Sequence, residues 1–243
     1  MIPKLVHYCW FGKKKMPKKM LKNIENWEKS NPDYKFIEWN ENNFDINSNS
    51  FVKRAYCERK WAFVSDYVRL YAVYNYGGFY FDTDVHLIKS LNKVNDEFPS
   101  GFMGFQGNLL VASGLGFAAL EKNAIIKEMM DMYSSIEFDK RKIEDISCPV
   151  INTKVLSLHG LKRDNKMQII NGLTILPKDF LSPLDLEHGK KKVDSNTIAI
   201  HYYNASWMGK YGRNRLHIIL NIKRIMPRKF VNYLRYIFKS HNS

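Results

Sequence analysis

Asp82 and Asp84 are the residues of this chain best suited to chemistry. They stand at i and i+2, directly behind Gly77-Gly78-Phe79-Tyr80-Phe81. Acids just past a short β-rich run sit at the carboxyl edge of an α/β sheet, where such folds bind ligands. If strand geometry lapses at the turn, both carboxylates face one cleft. They can then hold a hard cation such as Mg²⁺ or Mn²⁺ through oxygen, with coordination positions left for substrate phosphates. A D-x-D triplet alone is common and usually marks a capped turn. Its neighbours add weight. Asp66 and Arg69 lie at i and i+3 in an otherwise apolar stretch, so they share a helix face, and a buried charged pair is costly without partners. They read either as a self-satisfying ion pair or as a pair in which Asp66 accepts from sugar hydroxyls while Arg69 orients it or approaches phosphate. His201 reads either as a structural histidine at a strand end or as a third metal ligand through neutral imidazole.

The elements that must position these residues alternate along the chain. Leu5–Trp10 reads as a first buried strand. Pro17 opens a helix with Met20, Leu21, Ile24 and Trp27 on one face, and Tyr34–Trp39 is a second strand after the Asn31-Pro32-Asp33 turn. Trp61 to Tyr76 is apolar almost all round, as in a buried helix, and Gly77-Gly78 stops it. Val85–Ile88, Ile169–Leu176 and Thr197–Tyr203 read as strands, and 121–146 has a helical pattern. Gly101, Gly104 and Gly107 lack dinucleotide-fingerprint spacing and read as turns. The alternation predicts an α/β fold with a central, mostly parallel sheet flanked by helices. A catalytic domain over 1–212 is expected, followed by a basic helical extension over 213–243.

Size and charge narrow the partners. A chain of 243 residues with 45% hydrophobic and 14% aromatic residues can bury a substantial core. The net charge of +14 is uneven: seven lysines fall between Lys4 and Lys22, and no acid follows Asp194. Such a surface attracts phosphates of any origin. The lysines of 13–22 read as a solvated face. In Arg228–Lys239, Phe230, Val231, Leu234, Ile237 and Phe238 form a stripe suited to docking on the core or to an anionic membrane surface. Three cysteines without C-x-x-C spacing fit a reducing compartment. The sequence shows neither a signal-peptide pattern nor an apolar run of membrane-spanning length, so a cytoplasmic chain is expected, either free or peripheral at the inner face of the plasma membrane.

Four ordered blocks carry a resemblance: Ile2-Pro3-Lys4 with His7-Tyr8-Cys9-Trp10-Phe11-Gly12; Ser65-Asp66-Tyr67-Val68-Arg69-Leu70; Tyr76 through Asp84; and His201-Tyr202-Tyr203-Asn204-Ala205-Ser206-Trp207. Together they resemble the family 32 glycosyltransferases, which cover capsular and lipopolysaccharide sugar transferases, fungal initiating mannosyltransferases and, distantly, glucosylating domains of large bacterial toxins. The resemblance implies a GT-A-type fold, a nucleotide-diphosphate sugar donor, a divalent metal, retention of anomeric configuration, and a saccharide or lipid-linked saccharide acceptor in surface polysaccharide biosynthesis. By carry-over, Trp10 stacks on the base, Asp66 and Arg69 hold the donor sugar, and Tyr80 lines the same pocket. Asp82 binds the ribose or a metal water and Asp84 the metal. Ser206 and Trp207 close over the diphosphate, and Asn108 offers an amide to the sugar. Toxin-like relatives use an oxygen side chain near the place of His201.

Charge and aromatic content also fit a nucleic-acid-binding protein, but that reading leaves the Asp66, Arg69, Asp82 and Asp84 cluster without a role, since acids repel phosphate unless a metal intervenes. A metal-dependent phosphohydrolase and a non-catalytic sugar-nucleotide-binding relative are the other readings. The expected enzyme is a hexosyltransferase with no specific nucleic-acid partner.

Overall fold

A computed structural model of the chain describes residues 1–185, 190–191 and 193–202. In chain order the elements are β1 (Leu5–Cys9), α1 (Lys18–Ser30), β2 (Lys35–Trp39), α2 (Ser50–Cys57), α3 (Trp61–Tyr76), β3 (Gly78–Tyr80), β4 (Val85–Leu87), α4 (Leu91–Glu97), β5 (Gly101–Gly104), β6 (Phe117–Ala119), α5 (Ala124–Ser135), α6 (Cys148–Leu158), β7 (Gln168–Ile170), β8 (Leu173–Leu176), α7 (Lys178–Leu181), β9 (Leu184–Asp185), β10 (Lys190–Lys191) and β11 (Ala199–His201). Seven strands form the main sheet in the order β2-β1-β3-β6-β5-β8-β7. The β1–β2, β1–β3 and β5–β8 pairs are parallel, whereas β6 and β7 oppose their neighbours. Five strands therefore share one direction, in agreement with the expected mixed α/β layer.

Side chains alternate across this sheet, and each face has its own core. Tyr80, Met103 and Phe117 pack with α2, α3, α5 and α6 residues on one side. Phe79, Phe81 and Phe102 pack with α1, α4 and α7 residues on the other. A strand apolar on both faces belongs in the middle of such a layer, and β3 lies third in the order. The helix α3 buries nine residues, among them Asp66 and Arg69. It is apolar all round because it lies between the sheet and a second helical layer.

The passage from α3 into β3 requires glycine twice. Gly77 and Gly78 have φ of 61° and 100°, a region that side chains disfavour. A Cβ on Gly78 would stand 2.7 Å from the Leu5 carbonyl oxygen, and one on Gly77 would stand 2.9 Å from the Glu121 nitrogen. This tight reversal lets a helix feed directly into the strand that delivers Asp82. His7 locks the same corner from β1: its Nδ1 accepts from Trp39 Nε1 at 3.1 Å, so Nε2–H donates to the Gly77 carbonyl at 2.9 Å. With both ring nitrogens used by the neutral form, burial drives the His7 pKa down to about 4.

Several expectations need correction. Ile169–Leu176 is two antiparallel strands, joined at Asn171-Gly172 with φ of 45° and 80°. An Asn-Gly pair supplies the two positive φ values of a tight hairpin, whereas the apolar run on either side suggested one strand. Gly101 and Gly104 bound the buried strand β5 and are not turns; Leu181 packs where a Gly104 Cβ would go. The helical pattern over 121–146 yields α5 alone, capped by Asn123, whose Oδ1 accepts from the Ile126 amide. The helix α6 was not anticipated. The third strand of the late block stops at His201 within the described residues. Tyr203, Ser206, Trp207 and the extension 213–243 lie outside them. Among the described residues, no helix is long and apolar enough to cross a membrane.

Candidate active site

The chain leaves β3 at Tyr80 and turns through Asp82-Thr83-Asp84 before re-forming as β4. That turn breaks the period of two that would otherwise govern side-chain direction. One clamp holds its backbone from α1. Asn23 Nδ2 donates to the carbonyls of Thr83 and Val85, and Trp27 Nε1 donates to Val85 O at 3.0 Å. A polar Asn23 inside the Met20–Trp27 stripe was a legible signal of this contact, and sequence reasoning passed over it.

Asp82 is held from the buried side. Its Oδ1 accepts from Arg69 Nη2 at 3.1 Å and from the Tyr80 hydroxyl at 2.7 Å. Arg69 Nη2 is also 3.1 Å from Asp66 Oδ1, and the guanidinium carbon lies 5.0 Å from the Tyr80 ring centroid. A single guanidinium nitrogen, Nη2, thus bridges the two acids from the protein side, with one contact to each. Burial raises the Asp66 pKa to about 6, Arg69 opposes that rise, and Asp82 adds to it. Arg69 stays ionised: burial disfavours its charge, but the fields of Asp82, Tyr80 and Asp66 more than offset this. Burial first, and then the Asp82 charge, lifts the Tyr80 phenol well above its ordinary range, so it remains a donor.

Two further supports of this frame were missed. Cys148 opens α6, and its thiol and amide face Asp66 while its Sγ lies 3.5 Å from Arg69 Nη1. Gly114 is the closest approach on another side, where a Cβ would stand 3.0 Å from both Arg69 Nη1 and Asp82 Oδ2. Neither has a local sequence signature, because the contacts arise from segments distant in the chain.

Asp84 meets the rest of the site through a second, two-stranded sheet. There β11 pairs antiparallel with β4, with His201 opposite Val85, and the Tyr202 amide donates to the Asp84 carbonyl at 3.3 Å. The His201 Nε2 then lies 3.2 Å from Asp84 Oδ1 and 3.8 Å from Asp82 Oδ2. Burial disfavours the imidazolium, but Asp84 and Asp82 outweigh it and lift the His201 pKa to about 9. One ligand atom from each of Asp82, Asp84 and His201 can be chosen so that all three lie within 4.8 Å of one another. Two carboxylate oxygens and an imidazole nitrogen at that spacing fit a divalent cation of the Mn²⁺ or Mg²⁺ type. A cation bound there would displace the imidazole proton.

The remaining expected residues fall as follows. Trp10 follows the carboxyl end of β1, which runs parallel to β3, so it stands at the edge that carries Asp82. Its Nε1 donates to the Lys14 carbonyl at 2.6 Å. Tyr80, at 1% exposure, supports Asp82 from beneath. Asn108 is exposed on the turn after β5, and its Oδ1 accepts from Gln106 Nε2 and the Leu110 amide. Asp66, Arg69, Asp82, Asp84 and His201 are brought together. Ser206 and Trp207 lie outside the described residues.

Comparison with known proteins gives this arrangement a context. Residues 17–100 match the family described as the glycosyltransferase sugar-binding region containing the DXD motif. Asp82-Thr83-Asp84 is the D-x-D triplet of that sugar-binding region. Its boundaries also take in α1, whose Asn23 and Trp27 clamp the triplet, and α3, whose Arg69 supports it. Among solved structures, the PaToxG glycosyltransferase is similar with a TM-score of 0.53 and 21% identity, over 65% of this chain and 69% of that one. At that identity the likeness is one of fold. A glycosyltransferase involved in the glycosylation of the major capsid of PBCV-1 gives a TM-score of 0.45 and 11% identity, over 88% of this chain and all of that one. The latter is too distant to argue from. No curated protein matches the sequence.

Proposed function

We propose that this chain is a retaining, metal-dependent glycosyltransferase of the family 32 type, moving a hexose from a nucleotide-diphosphate sugar to a saccharide acceptor in surface polysaccharide assembly. The observation that supports it most is the convergence at the sheet edge of Asp82 and Asp84, which lie in the matched sugar-binding region, with His201, which lies beyond it. These three residues would hold the divalent cation, which when bound supplies positive charge for the donor diphosphate.

The chain's own residues do the rest. Trp10, at the same edge, offers its ring face to the nucleotide base. Arg69 and Asp66, at 3% and 7% exposure, leave little surface for direct contact. They fix Asp82 and form the floor against which the donor sugar lies. Tyr80 keeps one Asp82 oxygen occupied as an acceptor, so the other stays directed toward Asp84 and His201. The acceptor oxygen bonds to the anomeric carbon on the face from which the diphosphate departs, the anomeric C–O bond to the diphosphate breaks, and the departing diphosphate oxygen takes the hydroxyl proton. Preorganised charge at the leaving group then does most of the catalytic work. Asp82 is committed to Arg69 and Tyr80, which disfavours it as a covalent nucleophile. Asn108, Ser206 and Trp207 complete the proposed donor pocket.

A panel of nucleotide-sugars, assayed for Mn²⁺-dependent hydrolysis with calorimetry alongside, tests this reading. Binding of at least one donor with metal, lost in Asp84→Ala, is the expected result. No donor binding by the native chain, or the same affinity in Asp84→Ala, overturns it.

A further inference from the structure

The acid cluster has a cationic lip that the transferase reading does not use. Lys13, Lys14 and Lys15 follow Trp10 on the loop into α1, and Lys18, Lys19 and Lys22 occupy the first two turns of that helix. All six are exposed, and no ion pair among the described residues engages any of them. Glu41, on a neighbouring segment, feels the Lys13 charge while its Oε1 accepts from the Gly12 amide and the Tyr56 hydroxyl. Glu25 and Glu28 lie further along α1.

This rim is built, not loose. Met16 is buried in the core, Gly12 N–H donates to Glu41 at 2.7 Å, and the Lys14 carbonyl accepts from Trp10. It also runs against local preference. The first turn of α1 holds no acid and has no side-chain cap, so cations crowd the positive end of a helix dipole. An arrangement that costs stability locally points to a use elsewhere. The rim adjoins the site as well: Lys19 Nζ stands 5.7 Å from the ring of Tyr202, the residue after His201, and Tyr202 is itself 43% exposed.

We propose that this lysine rim is a contact surface for an anionic lipid bilayer, on which it seats the molecule with the lip of the acid–histidine cluster next to the headgroups. The composition favours a bilayer over a discrete phosphate. All six cations are lysines, strongly hydrated point charges suited to a diffuse field, where a phosphate pocket favours the arginine fork or converging amides. Leu21 and Tyr202, an exposed aliphatic and an exposed aromatic residue beside the lysines, suit the interfacial zone of a membrane. The inference does not depend on sugar transfer.

The test is sedimentation of the full chain with phosphatidylglycerol vesicles, with phosphatidylcholine vesicles as the neutral control. Binding to the anionic vesicles alone is expected, reversed by about 0.5 M salt. Each lysine at such a surface strengthens partitioning about fivefold, so Lys15→Gln/Lys18→Gln/Lys22→Gln should weaken it about a hundredfold, while the triple arginine variant retains it. The glutamine variant should melt no lower than the parent, because these side chains are exposed and the Lys18 charge opposes the helix dipole. Asp84→Asn should bind vesicles normally while losing metal-dependent donor turnover, so failure here and failure of the transferase reading are separable. Absence of vesicle binding, undiminished binding by the glutamine variant, or tighter binding to RNA than to vesicles at the same salt overturns the proposal. Loss of binding on neutralising Lys223, Arg224 and Arg228 with the rim variant unaffected does so too.

Discussion

The two acids of the turn are two residues apart yet are held in opposite ways. Asp82 rests on a buried frame in which Arg69 joins it to Asp66 and Tyr80 donates from below. Asp84 instead meets His201, which arrives on β11, more than a hundred residues later in the chain. The first support is local: a helix, a double-glycine corner and a strand, consecutive in sequence. The second exists only after a non-local strand pair has formed. Stability should therefore reside mainly in the first and cation affinity mainly in the second.

The largest effect that would break this contrast is on Arg69. Removing it leaves Asp66 and Asp82 facing each other with no counter-charge, so Arg69→Met should lower unfolding stability in urea by about 3–5 kcal/mol. A loss below about 1 kcal/mol would show that the frame is not a structural keystone. Next is the corner beneath it. The His7 pKa is about 4 in the fold against an ordinary 6.5, so the unfolded chain takes up the proton first as pH falls. Stability should drop by about 3 kcal/mol between pH 7 and pH 4 and stay insensitive to His7 above pH 7. His7→Gln keeps a donor and an acceptor but does not titrate, and urea unfolding of this variant should lack that component.

At the β4–β11 pair the readout changes. Asp84→Asn keeps side-chain volume but removes the nearer counter-charge of the His201 imidazolium, so melting of the metal-free chain should fall, though by less than in Arg69→Met. Mn²⁺ affinity by calorimetry should fall at least about a hundredfold, more than is usual for losing a group behind the ligands. An unchanged Mn²⁺ affinity would move the cation site elsewhere. His201→Gln is the mildest change: Mn²⁺ binding should weaken about tenfold, with Mg²⁺ less affected because Mg²⁺ takes oxygen ligands. Equal losses for the two metals would argue that His201 acts on the acids and not on the cation.

How much of this was legible follows the same division. The span of α3, the glycine stop and the acid pair are written in consecutive residues, because burial on all sides and a forced positive φ leave local marks. The alternation of β1, α1 and β2 likewise showed in the apolar spacing. What pairs distant segments left no such trace. The reversed strand β6 sits between β3 and β5, α6 brings Cys148 to Asp66, and β11 closes on β4. Each depends on which surfaces happen to meet. The Asn171-Gly172 hairpin differs, since its turn chemistry was in plain view and the flanking isoleucines and leucines masked it. The rim lysines were visible too, but only the pinned loop and the proximity of Lys19 to Tyr202 distinguish a positioned surface from a solvated one.

The β4–β11 pair has a bearing on how the protein is made. Domains tend to form from the N-terminal side while synthesis continues. His201 is translated 117 residues after Asp84. The nascent polypeptide can thus form the α3–β3 corner and its acid frame early, yet the third donor is withheld until β11 docks on β4. Ion capture is in this way tied to the docking of that strand.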